Sequence, residues 1–316
     1  HNRGLEYMFI MMNEARLGVG MQGIALGERS YQQALAYARD RKQGRDAVTG
    51  EALVSIDKHP DIRRMLMLMK CRIEACRALA YVTAGLLDRA HASADPEARA
   101  MMLKQAELLI PIVKGGSTEM GVEVTSLGVQ IHGGMGFIEE TGAAQHYRDA
   151  RITTIYEGTT GIQANDLLFR KLLRDGGEAL RLVFASVDAT AKTLQSSSRD
   201  DCKAIGTRLE KALGAWVKAT EWLGANVKED MAGVLTAAVP YLSLATAVAG
   251  GWQLGRAAMA AERRLVERDS DTTFLEGKIA TALFYADHVL PQASWHRDTV
   301  CSGSGALARV TDAMLG

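Results

Sequence analysis

Three blocks of this sequence combine residue types that could do chemistry. The first is Ile155-Tyr156-Glu157-Gly158-Thr159-Thr160-Gly161-Ile162-Gln163, where one carboxylate sits between an aromatic ring and a glycine at the start of a predicted helix. A carboxylate there could serve as a base; an acidic residue in a first helical turn also simply complements the helix dipole. The second is Gln130-Ile131-His132-Gly133-Gly134-Met135-Gly136-Phe137. Its glycines could let backbone N–H groups approach a phosphate or a sugar, and they would equally suit a helix end and turn. The third block carries Asn13, Arg16 and Arg41. Arg16 and Arg41 are 25 residues apart, almost seven helical turns, so they share a face about 37 Å apart at 1.5 Å per residue. They cannot grip the same phosphate of one compact ligand, and singly each suits a surface ion pair.

The elements that must position these blocks read as helices throughout. Apolar residues make up 47% of the chain but aromatics only 6%, and a core built from unbranched side chains favours helix over sheet. Apolar steps of three and four predict one long helix over 11–45, closed by Gly44 and the turn-rich stretch 46–50. A second helix is predicted over 61–92. Asp95 and Pro96 read as the N-cap and first residue of a third, which runs to about Ile131 with a kink near Pro111 and Gly115-Gly116. After the glycine turn come a connecting segment over 147–155 and a helix from Gly158 to about Arg174. Asp175-Gly176-Gly177 is the best boundary. The expected architecture is therefore all-α: an up-and-down helical bundle over 1–175, followed by a second helical domain over 176–316. Four helical patterns are expected there (178–198, 202–228, 230–268 and 272–290), the third interrupted by Pro240 and Gly250-Gly251. Trp216, Trp222, Trp252, Trp295 and Tyr241 are expected to fill helix interfaces, with Asp287 and His288 on the surface.

Charge and cysteine usage exclude other classes. Lys and Arg equal Asp and Glu, 37 each, so no global nucleic-acid or membrane footprint is visible. Cys71, Cys76, Cys202 and Cys301 form no CxxC pair and no cluster with metal-ligand spacing, so reduced thiols and no metal are expected. No membrane span is expected. The chain opens on His1, without a targeting pattern, and reads as a cytoplasmic piece of a larger protein.

In order and spacing, the three blocks resemble the acyl-CoA dehydrogenase family. Arg148-Asp149-Ala150-Arg151-Ile152 and Tyr156-Glu157-Gly158-Thr159, following Gln-Ile-x-Gly-Gly-x-Gly-Phe, are highly specific together, and the similarity covers residues 1 to about 175. The wording Ile-Tyr-Glu-Gly-Thr-Thr-Gly-Ile-Gln-Ala-Asn-Asp and the extra C-terminal helices most resemble the branch containing 3-methylmercaptopropionyl-CoA dehydrogenase. The resemblance implies FAD as cofactor, an acyl-CoA thioester as substrate and desaturation between Cα and Cβ. Glu157 matches the family's base, whose backbone N–H also hydrogen-bonds the thioester oxygen. Asn13, Arg16, Tyr156 and Gly158 fall at the substrate. Thr159 matches a flavin contact, while Arg41, Gln130, Gly133 and Gly134 match contacts to a partner subunit's FAD. A homodimer or homotetramer is implied, with electron-transferring flavoprotein as electron acceptor.

The sequence departs from the family pattern at several places. Asn13 stands where the family usually has Asp, Gln43-Gly44-Arg45 follows Arg41-Lys42 where it often has Thr-Phe-Gly, and Gly161 replaces a side chain that commonly touches flavin. Some members place the base at the position of Ala15, which cannot serve, and Glu14 would point about 100° away. The family's N-terminal helical domain and middle β-domain have no counterpart here, so the piece alone is expected to be inactive. A rival reading is a non-enzymatic relative, either a flavin-free scaffold or a DNA binder like the alkylation-response protein with its basic C-terminal domain. Residues 177–316 carry 15 Lys and Arg against 16 Asp and Glu, interspersed, which argues against DNA binding.

Overall fold

A computed structural model describes residues 4–267 and 271–316, so His1 and the predicted end of the 230–268 helix at Arg268 lie outside the described residues. The described chain is helical: α1 (Gly4–Asp40), α2 (Pro60–Ala92), α3 (Pro96–His132), α4 (Gly134–Phe137), α5 (Ala143–Thr153), α6 (Thr160–Asn165), α7 (Glu178–Gln195), α8 (Asp200–Asn226), α9 (Met231–Val266), α10 (Thr272–His288), α11 (Gln292–Cys301) and α12 (Asp312–Leu315). Helix α6 continues as a π-helix over Asp166–Leu173. Among the described residues there is no strand, only two isolated bridges.

The chain forms two compact units, His1–Tyr81 with Val113–Thr159, and Val82–Ile112 with Thr160–Gly316. In the first, α1 packs on the flanking parts of α2 and α3 and on α5. Ile24, Met69, Ile73 and Val124 are buried there, each such side chain contributing about 1.5–3 kcal/mol. Small residues bring α1 and α3 close together. A Cβ on Gly23 would lie 2.6 Å from the Ser117 carbonyl oxygen, and one on Gly121 would lie 2.8 Å from that of Gly23. Ion pairs Arg77–Glu28 (2.5 Å) and Arg72–Glu123 (2.7 Å) tie the helices outside this core.

In the second unit α7 to α11 enclose Trp216, Tyr241 and Trp252. Trp216 meets Phe184 edge to face at 5.0 Å, and Trp252 donates to Thr190 Oγ1 (3.1 Å). Asp230 caps α9 through Gly233 N (2.9 Å) and accepts from Ser304 Oγ (2.7 Å), which anchors the segment after α11.

Several sequence expectations are corrected. Helix α1 stops at Asp40 rather than residue 45, because 41–46 pairs with 51–56: Gln43 N donates to Val54 O (3.0 Å) and Leu53 N to Gly44 O (2.7 Å). Buried Val54 and Ile56 anchor that return. The connecting segment 147–155 is largely helix α5, with Ala143, Ala150 and Thr153 buried. Helix α9 runs unbroken through Pro240, which frees the carbonyl of Thr236 on an exposed face where water can satisfy it. Gly251 inside α9 is a contact site, since a Cβ would lie 2.7 Å from Leu290. Trp295 is exposed rather than an interface residue, whereas Asp287 lies at the surface, paired with Arg208 (2.6 Å). Among the described residues α9 alone is long and apolar enough to cross a membrane, contrary to the expectation that no helix would be; over half of its apolar window is buried in the protein.

Candidate active site

Two groups of the singled-out residues gather in the first unit. The first gathers around the turn between α5 and α6. Glu157 does not open a helix, as the sequence suggested; it stands in the turn before Thr160 with φ +55°, and Gly158 follows with φ +90°. A glutamate rarely adopts the left-handed region, at a cost of roughly 1–2 kcal/mol, and such outliers gather at functional sites. Tyr156, just before it, donates its hydroxyl hydrogen bond to Gln22 Oε1 on α1. Tyr156, Glu157 and Gly158 are half-buried and Thr159 is exposed.

Arg16, on α1, is only 3% exposed, and Asn13 precedes it by three residues, half-buried on the same side of the helix. Between these elements lies Lys114, a residue that the sequence reading did not single out. It is 0% exposed, and its Nζ donates to Thr153 O (2.9 Å) and Gly158 O (2.7 Å). Loss of water, followed by the charge of Arg16, pushes its ammonium down to about 8, while Glu119 and Glu157 act the other way. Arg16, Glu119 and Glu157 thus all act electrostatically on the buried Lys114 ammonium, Arg16 against its charge and the two carboxylates in favour of it. The only trace in the sequence is a lone lysine at the end of the apolar run Leu108-Leu109-Ile110-Pro111-Ile112-Val113.

The second group lies at the other end of α1. Tyr37 stacks on His132 with centroids 4.5 Å apart, and His132 Nδ1 is 2.7 Å from Gly128 O. This contact joins the end of α1 to the end of α3. Arg41, one residue beyond the helix, donates its backbone N–H to Tyr37 O (2.8 Å), and its exposed guanidinium donates to Gln43 Oε1 (3.5 Å). Gln130, Gly133 and Gly134 are exposed. No atom comes within 4 Å of a Cβ built at Gly133 or Gly134, so the turn is uncrowded, while the Gly133 N–H donates to Gln130 O (3.0 Å). The exposed Arg41 guanidinium and Gln130 amide are donors that suit a pyrophosphate and sugar, as the adenosine half of a dinucleotide presents. Arg16 and Arg41 therefore stand at separate places along the first unit, as their spacing required.

The buried cysteines offer no reactive thiolate. Cys71, Cys76 and Cys202 are buried, and burial pushes their thiols up to about 12, 11 and 11 respectively. Among the described residues no group of three or more His, Cys, Asp or Glu is placed to hold a metal ion.

Comparison with known proteins gives the family. Residues 2–172 match the family model "Acyl-CoA dehydrogenase, C-terminal domain", and residues 183–311 match "Acetyl-CoA dehydrogenase C-terminal like". The chain belongs to the acyl-CoA dehydrogenase family. It is 52% identical over 295 residues to 3-methylmercaptopropionyl-CoA dehydrogenase of Ruegeria pomeroyi, covering 93% of this chain and 50% of that protein. It is 34% identical to a broad-specificity linear acyl-CoA dehydrogenase of Mycobacterium tuberculosis, covering 95% of this chain and 51% of that protein. The fold matches a crystal structure of an acyl-CoA dehydrogenase complexed with FAD from Bacillus anthracis, with TM-score 0.74 at 18% identity over 99% of this chain and 52% of that one. The chain thus spans about half the length of the relatives that it matches.

Proposed function

We propose that this chain is the C-terminal half of a flavin-dependent acyl-CoA dehydrogenase, divided into a helical-bundle domain over 1–175 and a further helical domain over 176–316. The two family matches support that division. The observation that carries the functional reading is the presentation of Glu157: a carboxylate on a left-handed turn whose following carbonyl, Gly158 O, is held by buried Lys114.

In this reading Glu157 takes the α-proton of an acyl-CoA thioester, and its own backbone N–H donates to the thioester oxygen as enolate charge develops. FAD, when bound, would supply the two-electron oxidant that accepts the β-hydride. Arg16, Asn13, Tyr156 and Gly158 line the approach of the thioester, and Thr159 lies beside the flavin. Arg41, Gln130, Gly133 and Gly134 hold the adenosine end of a neighbouring subunit's cofactor. A homodimer or homotetramer follows, acting in the cytoplasm with electron-transferring flavoprotein as acceptor. Nothing assigns a nucleic-acid surface, since the charges of 177–316 are mixed.

The test uses the protein with its N-terminal half in place. Under anaerobic conditions, acyl-CoA thioesters including 3-methylmercaptopropionyl-CoA and linear chains are added and flavin absorbance is followed. Bleaching by at least one thioester, abolished by Glu157→Gln, is expected; flavin that no thioester bleaches would overturn the reading. As a separate chain, residues 1–316 should fold and self-associate without turnover. A stoichiometric yellow complex that turns over would contradict this.

A further inference from the structure

We propose that Lys114 is a positioning residue of this site: its ammonium ties Thr153 O to Gly158 O and so fixes the turn on which Glu157 is presented. The inference rests on Glu157 being the base.

Packing gives no reason for a lysine at this position. Its neighbours Ile112 and Val113 are fully buried, and a buried charge is costly unless paired and hydrogen-bonded. A methionine would fill similar space without that cost. Lysine differs in donating two hydrogen bonds, and both go to main-chain oxygens at the two ends of one six-residue segment, 153–158. Thr153 O belongs to the last turn of α5, where carbonyls lack helical partners. Gly158 O comes directly after the base. Between them Glu157 and Gly158 both adopt positive φ, a conformation that persists only where the surroundings over-determine it.

Lys114 provides that determination from α3, a long helix whose position does not depend on the turn. Releasing Gly158 O would let the peptide after Glu157 rotate, moving both the carboxylate and the glutamate's N–H. The clamp does not need the positive charge. A neutral amine keeps two N–H groups, enough for both carbonyls, so positioning outlasts deprotonation near pH 8.

The experiment compares wild type, Lys114→Met, Lys114→Gln and Glu157→Gln in the full-length flavoprotein. A 3-thia-acyl-CoA can lose an α-proton but has no β-hydride to give, so exchange of its α-protons with deuterated solvent reads the base alone. Lys114→Met should keep its flavin and fold, hold KM within about threefold, and lower kcat and α-proton exchange on the order of 100-fold, the scale expected for misplacing a reacting group by an ångström. Amide exchange should quicken selectively over 153–160. Lys114→Gln, which keeps a shorter N–H donor, should fall between the two, and it carries the same comparison if the methionine variant does not fold. Wild-type α-proton exchange in a folded Lys114 variant, with Glu157→Gln inactive, would overturn the clamp and leave the base intact. Uniformly faster amide exchange throughout the protein would also overturn it, by assigning Lys114 to general stability. Undiminished α-proton exchange in Glu157→Gln would instead overturn the base assignment itself.

Discussion

Glu157 and Lys114 pull the local energetics in opposite directions. The glutamate occupies a backbone region that disfavours it, and the lysine holds a charge away from water. Each is unfavourable alone, and each makes sense beside the other. Linkage gives this a measurable form. The ordinary lysine value is 10.5 and burial lowers it to about 8 here. Between those values the unfolded chain carries a proton that the folded chain has shed, so Lys114 contributes a stability that rises with pH from about 8 to 10.5 and is level outside that window. The buried thiols act oppositely, because their folded values lie above the ordinary 9.0. The raw profile therefore mixes the two, and the difference between wild type and Lys114→Met isolates the lysine. Urea unfolding at pH 7.5, 9 and 10.5 should show the variant's relative stability falling as pH rises; a flat difference would place the ammonium in contact with water. At this scale the sequence was half legible. The glycine-flanked carboxylate stood out by its motif as a candidate, while its left-handed backbone and the lysine 43 positions earlier that bonds its turn were hidden, since only a tertiary contact relates the two.

Element by element, helix identity was easier to read than helix ends. The sequence located α2, α3 and α7 to α10, although α3 over 108–118 and α9 over 247–255 are buried on every side rather than on one face. Periodicity failed at residue 41, where a hairpin-like return supplies the hydrogen bonds that a further helical turn would have made, and at Pro240, where an exposed carbonyl can turn to water. It also failed to read the meaning of the glycines in α1. Gly18 and Gly23 look alike in sequence, yet a Cβ meets nothing within 4 Å at Gly18 and backbone atoms at 2.6 to 3.0 Å at Gly23. Gly18→Ala should therefore stabilise the protein by up to about 1 kcal/mol, the difference in helix propensity. Gly23→Ala should destabilise it by roughly 1–3 kcal/mol or more, because α1 and α3 must part to admit a methyl group. Denaturant midpoints of the two variants should move in opposite directions, and movement the same way would contradict the close approach of α1 to α3.

For the molecule as a whole, the long α1 separates two tasks. Buried Arg16 acts on the Lys114 that holds the Glu157 turn, and exposed Arg41 follows the other end of the helix, about 37 Å away. If the second end served its own catalytic turn, one ligand would have to bridge that length with a single chain's residues. If it serves a neighbour, a catalytic centre is complete only between two copies. Mixed dimers decide between these arrangements. In the full-length protein, Glu157→Gln removes the base of its own centre, while Arg41→Ala weakens the hold on whichever cofactor Arg41 touches. Each variant alone should be impaired, the first in the chemical step and the second by a higher flavin requirement. A dimer of one subunit of each kind contains a centre that takes its base from the Arg41→Ala subunit and its arginine from the Glu157→Gln subunit. That centre is intact, so at limiting flavin the mixed dimer should recover about half of wild-type turnover, as one good centre of two requires. Were Arg41 to serve its own chain, the defects would fall on both centres separately, one lacking a base and the other an arginine, and mixing would restore nothing.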